Sequence, residues 1–234
     1  MQLFGRIIVS LVAVFCVVAH FGGHDSHASA PAAQETPVTF RGTANGRDTS
    51  HSVDLHQGLV VVHARHAGAQ NFQLTLALPE PGQDVFRRRD EAISIFNEVG
   101  RYDGGSAGRV RKGGSYVLAL YASGSYEITI EQPPLAEVAE PGQTEFSGSG
   151  HTVTPVLQIP AGTHRISFTH DGQASFGPRG LAQVWLLDMD GNEVGGRLIN
   201  EFGPFAGTVD LPIILEGPHI FHIDATGNWS IRLE

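Results

Sequence analysis

Histidine and carboxylate are the side chains in this 234-residue chain suited to acid–base or metal chemistry, and their spacing limits what they can do together. Nine of the twelve histidines follow residue 30. His63 and His66 stand three apart, as do His219 and His222. On a strand that spacing puts the two rings on opposite faces, so neither pair meets one metal without a bend. His66 and His170 each precede a glycine by two residues. The expected role of each is a strand-end ring bonded to its turn, with ligand binding or pH sensing as the alternative. Glu98 and Glu201 sit in two Asn-Glu-x-Gly segments. Carboxylate catalysis needs two such groups in one cleft, whereas these two are expected in separate domains. Each Glu should face water, while Asn97 and Asn200 bond a turn and Tyr102 or Phe205 fills a core.

Three other groups invite a chemical reading. Asp188, Asp190 and Asn192 place oxygens at alternating positions before a tight turn, which reads first as a hairpin whose Asp and Asn bond their own backbone, with a weak Ca²⁺ site as the alternative. Arg87, Arg88 and Arg89, with Arg109, Arg111 and Lys112, form a basic group that suits either an anionic surface or a solvated helix face. Tyr126, Trp185 and Trp229 have the rings to stack on sugars, but their alternating contexts make them core residues first. No serine lies in a nucleophile-elbow context. The single cysteine, Cys16, excludes a disulfide scaffold and a cysteine-ligated metal site. No cofactor is expected.

The elements that must position these groups begin with an address. Arg6, an apolar run from Ile7 to Ala19 and the small-residue site Ala28-Ser29-Ala30 form the three-part layout of a secretory signal peptide over residues 1–30. The reading is cleaved export to an extracytoplasmic location, with an uncleaved anchor as the alternative and no transmembrane helix in the mature chain. Net charge is −9, and it is unevenly spread. Phe40 to Gln132 holds ten basic and ten acidic residues; Glu140 to Glu234 holds four and eleven. One lysine in an acidic chain argues against nucleic-acid binding, which rests on neutralising phosphates.

The chain is written twice. "GSYVLALYASGSYEITI" from Gly114 aligns without gaps on "GPHIFHIDATGNWSIRL" from Gly217, and "NEVGRYDG" from Asn97 on "NEFGPFAG" from Asn200, both at an offset of 103. "FRG" at Phe40 answers "FSG" at Phe146. Two domains follow, residues 39–132 and 144–234, after a lead-in over 31–38 and joined by a proline-rich linker over 133–143. Within each copy the apolar period is two, as in Phe72, Leu74, Leu76 and in Trp229, Ile231, Leu233. The expected fold is all-β, two tandem antiparallel β-sandwiches of the jelly-roll or immunoglobulin-like kind. Asp84 to Phe96 is the one helix-like stretch.

The run "FSGSG…LQIPAG…FTHDG…VWLLDMDGN…LINEFGPFAGT…ATGNWSI" resembles a β-sandwich module of exported bacterial proteins, similar to the pre-peptidase C-terminal domains of secreted hydrolases. The resemblance spans the mature chain and implies a non-catalytic accessory role, with no site residues to carry over. The resulting expectation is an exported binding or spacer protein of the cell envelope whose partner is a protein, a glycan or a cell-wall component. A carbohydrate-binding or adhesin-like module is the second reading, and a Ca²⁺-dependent or hydrolytic enzyme the third.

Overall fold

A computed structural model describes residues 36–82, 84–86, 92–173 and 180–234. The expected signal segment and Arg87, Arg88 and Arg89 lie outside the described residues. In the first half of the chain run β1 (Val38–Asp48), β2 (Ser52–Leu55), β3 (Gly58–His66), β4 (Asn71–Ala77), β5 (Ile93–Val99), β6 (Tyr102–Val110) and β7 (Gly114–Glu131). In the second run β8 (Glu145–Ser149), β9 (Thr152–Val153), β10 (Leu157–Ile159), β11 (Gly162–His170), β12 (Leu181–Asp188), β13 (Glu193–Phe202), β14 (Phe205–Ile213), β15 (Gly217–Ala225) and β16 (Asn228–Leu233). Every strand pair is antiparallel. Among the described residues no helix is long and apolar enough to cross a membrane.

The second half stacks two layers, ordered β10-β15-β12-β13 and β14-β11-β16-β8. The first half has the same arrangement, but its layers share one long strand. The start of β7 pairs with β2 and β4, and its end with β1 and β3, so the 18-residue strand passes from one layer to the other. It turns the corner at Gly124, whose φ of +128° suits glycine. The matching Gly227 (φ +92°) ends the corresponding strand instead, splitting it into β15 and β16. Alternate residues fill each interior: Phe72, Leu74, Leu76, Leu118 and Leu120 in the first half, Phe168, Val184, Phe221, Ile223 and Ile231 in the second. Each such side chain, fully withdrawn from water, contributes about 1.5–3 kcal/mol.

One expectation needs correction. Ile93 to Phe96 is not helical but opens β5, pairing with β4 through Leu76↔Ile93 and Leu74↔Phe96. Isoleucines two apart suit a pleated surface, and Ile95 and Phe96 are both buried there. The segment over 133–143 makes its own contacts. Leu135 is buried, Ala139 N donates to Val156 O at 2.9 Å, and Val156 N donates to Glu137 O at 2.9 Å.

That segment is held because the two halves pack together. Leu59, Val61 and Ala107 on the outer face of the first half, Leu135, and Val153, Val156, Leu187 and Ile220 of the second form a third buried apolar cluster. On β3 the alternation is complete, with Val60 and Val62 facing the interior and Leu59 and Val61 facing this seam. Backbone bonds cross it, from Leu59 N to Met189 O and from Gly105 N to His151 O, both at 3.1 Å. A Cβ on Gly104 would stand 2.7 Å from His151 O, so a bare backbone is what allows β6 to come this close.

Candidate functional site

The residues singled out by sequence fall into different surroundings. His66 ends β3, buried, with Nδ1–H donating to Gly100 O at 2.8 Å and its ring stacked on Phe72 at 4.4 Å. His170 repeats this at the end of β11: Nδ1 faces Gly203 O at 3.1 Å and Nε2 faces Thr226 O. Gly100 and Gly203 are themselves matched in the two Asn-Glu-x-Gly segments. Asp188 closes the β12–β13 hairpin. Its Oδ1 accepts from Asp190 N and Asn192 N, and its Oδ2 from Asn192 Nδ2. Asn192 thus turns its amide N–H toward Asp188 where a cation would require an oxygen. Among the described residues no group of three or more His, Cys, Asp or Glu is placed to hold a metal ion. Tyr126 and Trp229 are buried, while Trp185 is half-buried against His222.

Glu98 and Glu201 part company. Glu201 is exposed on β13. Glu98, expected in water, instead stands at the seam, where Oε1 lies 3.6 Å from His151 Nε2. Asp224 Oδ1 lies 3.2 Å from the same nitrogen. Burial, with Asp224 adding to it, raises the Glu98 pKa above the usual carboxylate range, against the opposing pull of His151. Beside them Tyr102 packs edge-on to His151, with burial and then Glu98 and Asp224 raising its phenol pKa.

His222 completes this seam cluster, which sequence reasoning missed because its members come from strands of both halves. Its Nε2 lies 3.3 Å from Ser106 Oγ, superficially a base beside a nucleophile. The proton count rejects that. Ser106 Oγ gives its one proton to Ile95 O at 2.8 Å, so His222 Nε2–H must donate to Ser106 and has no lone pair to accept from it. Ser106 is also buried. Desolvation pulls the His222 pKa down to about 4, only partly offset by Asp224 and reinforced by His151, so the ring is neutral at pH 7.

An open groove lies at one end of the second half, between the β12–β13 hairpin and the β14–β15 connection, with a volume of about 620 Å³. Its apolar lining comes from Met189, Val194, Ile213, Ile214, Leu215 and Pro218. Ile213 is anchored in the core, but Ile214 and Leu215 are 88% and 79% exposed. Asp188, Asp190, Glu193 and Glu216 supply the charge of the lining, which includes no Lys or Arg among the described residues. It also includes no Phe, Tyr or Trp. A large apolar pair left in water inside a concave surface is the kind of feature that marks contact with another molecule.

No family model matches the sequence, and no curated protein matches it. Solved structures offer distant neighbours. The tandem CBM22-1-CBM22-2 domain of Paenibacillus barcinonensis Xyn10C is 10% identical, over 84% of this chain and 86% of that one, with a TM-score of 0.28. A chain from Sulfolobus Turreted Icosahedral Virus (12% identity, 99% and 98% covered) and the VP2 subviral particle of infectious bursal disease virus (11% identity, 86% and 71%) give 0.23 and 0.22. TM-scores this low establish no common arrangement, and the functional reading rests on the chain itself.

Proposed function

We propose that this chain is an exported, non-catalytic binding protein of the cell envelope, built from two duplicated sandwich modules of the pre-peptidase C-terminal kind that pack against each other. The observation that carries the binding role is the Ile214–Leu215 pair, 88% and 79% exposed beside the groove while the adjoining Ile213 is buried in the core. Duplication is supported by the matched layer orders and by the matched bonds of His66 to Gly100 and His170 to Gly203. Export rests on Arg6, the Ile7–Ala19 run and Ala28-Ser29-Ala30. Packing of the two modules against each other is supported by the buried apolar seam between them. A glycan is a weaker occupant of this groove, because sugar rings are held by stacking on aromatic faces and the described lining has none.

The test is retention of the purified chain by envelope fragments. Ile214→Ser with Leu215→Ser should reduce retention at least about fivefold without shifting the melting midpoint, since both side chains already face water. Retention equal to wild type would remove the groove as the binding surface, and no retention of the wild-type chain would remove the binding role.

A further inference from the structure

We infer that the groove between the β12–β13 and β14–β15 connections docks a segment of a partner protein that is both basic and apolar, a short stretch of leucine-like residues flanked by lysine or arginine. This rests on the reading of the groove as a binding surface and adds the chemistry of its occupant. The apolar requirement comes from Ile214 and Leu215, which no other described residue covers. The basic requirement comes from the rim. Asp188 is committed to its own turn, but Asp190, Glu193 and Glu216 are exposed, and among the described residues none of the three is held by an ion pair. Three carboxylates around an open groove repel one another, and a cationic segment relieves that repulsion while its apolar residues cover the loop tip.

The duplication sharpens this assignment. At the offset of 103, Ile214 and Leu215 correspond to Arg111 and Lys112 in the first half. The scaffold therefore does not require apolar residues at this connection, and the second half alone carries them. A second copy of the chain offers Arg111 and Lys112 as cations, but Val110 beside them is buried and supplies no apolar partner. An anionic lipid surface fits worse, since inserting Ile214 and Leu215 would press Asp190, Glu193 and Glu216 against lipid phosphates.

The experiment is fluorescence anisotropy of a labelled peptide alternating lysine and leucine pairs, titrated with full-length chain at low salt. The expected dissociation constant is on the order of 10 µM, weakening several-fold when ionic strength rises to physiological values. Asp190→Asn with Glu193→Gln and Glu216→Gln should weaken binding at least about tenfold, as should Ile214→Ser with Leu215→Ser. Removing three carboxylates elsewhere, Glu127→Gln with Glu145→Gln and Glu234→Gln, should leave binding within about twofold, which separates the groove from net charge. Equal weakening by that distal variant would overturn the proposal, as would equal binding of a glutamate–leucine peptide. Co-sedimentation with anionic vesicles, or dimerisation in sedimentation velocity, lost on Ile214→Ser would also replace it by a lipid or a second copy. Envelope retention that depends on Ile214 and Leu215 without any binding of the lysine–leucine peptide would sink the basic partner and leave the groove's binding role standing.

Discussion

At the scale of single residues, chemistry-bearing side chains in this protein are mostly absorbed by the fold. His66 and His170 act as struts between a strand end and the carbonyl of a neighbouring turn, and Asp188 acts as the template of a hairpin. His222 is the exception with a measurable consequence. In the folded chain its pKa lies near 4, against about 6.5 when unfolded, so between these values the unfolded state binds a proton that the native state does not. Stability therefore falls as pH drops from about 6.5 to about 4, by roughly 2–3 kcal/mol for this group. Glu98 works in the opposite sense, because its raised pKa means the native state holds its proton to higher pH than the unfolded state does. His222→Leu should flatten the decline in denaturant midpoint between pH 7 and 5. An unchanged slope would mean that Glu131 and Asp48, whose lowered pKa values also make acid destabilising, account for it. The strut histidines were legible from their repeat positions. The seam cluster was not, since Ser106 and His222 are 116 residues apart and nothing local links them.

At the scale of elements, the duplicated motifs acquire physical reasons. In "FRG" and "FSG" the glycine lies opposite an aromatic residue on the paired strand, Gly42 opposite Tyr126 and Gly148 opposite Trp229. A Cβ on Gly42 would stand 2.6 Å from Tyr126 Oη, and one on Gly148 2.6 Å from Trp229 Cζ2, so each ring lies over bare backbone. Trp229 Nε1–H then donates to Gly150 O at 2.9 Å, and Tyr126 Oη–H to Asp48 Oδ2 at 3.0 Å. Trp229→Ala should cost about 3–5 kcal/mol, and Gly148→Val about 1–3 kcal/mol through overpacking, both read from urea midpoints. Equal stability of Gly148→Val would mean the ring swings aside without loss. The period of two predicted these strands correctly. It misjudged Ile93 to Phe96 because the charges of the segment before them read as a helix face, whereas the edge of β4 offered these residues a partner.

At the scale of the whole molecule, the seam is what joins the two halves of the chain. Leu59 and Ile220 are fully buried within it. A calorimetric scan of the wild-type chain should show one transition, and Leu59→Ser with Ile220→Ser should lower it and split it in two, each half keeping its own interior. A single undivided transition in that variant would mean that the halves share more than the seam. The sequence by itself determined the strands, the duplicated order of motifs and the uneven charge, because alternation, glycine turns and repeat spacing are local properties of a chain. It also held an unread sign of the seam, since Leu59 to Val62 and Leu186-Leu187 are apolar without alternation, as strands buried on both faces must be. Only the tertiary structure decided which faces meet, that Glu98 is half-buried while Glu201 stays exposed, and that Ile214 and Leu215 are left uncovered beside three carboxylates. Burial, desolvation and charge complementarity depend on what packs across a strand, and that neighbour can lie more than a hundred residues away along the chain, as Ser106 and His222 do at 116.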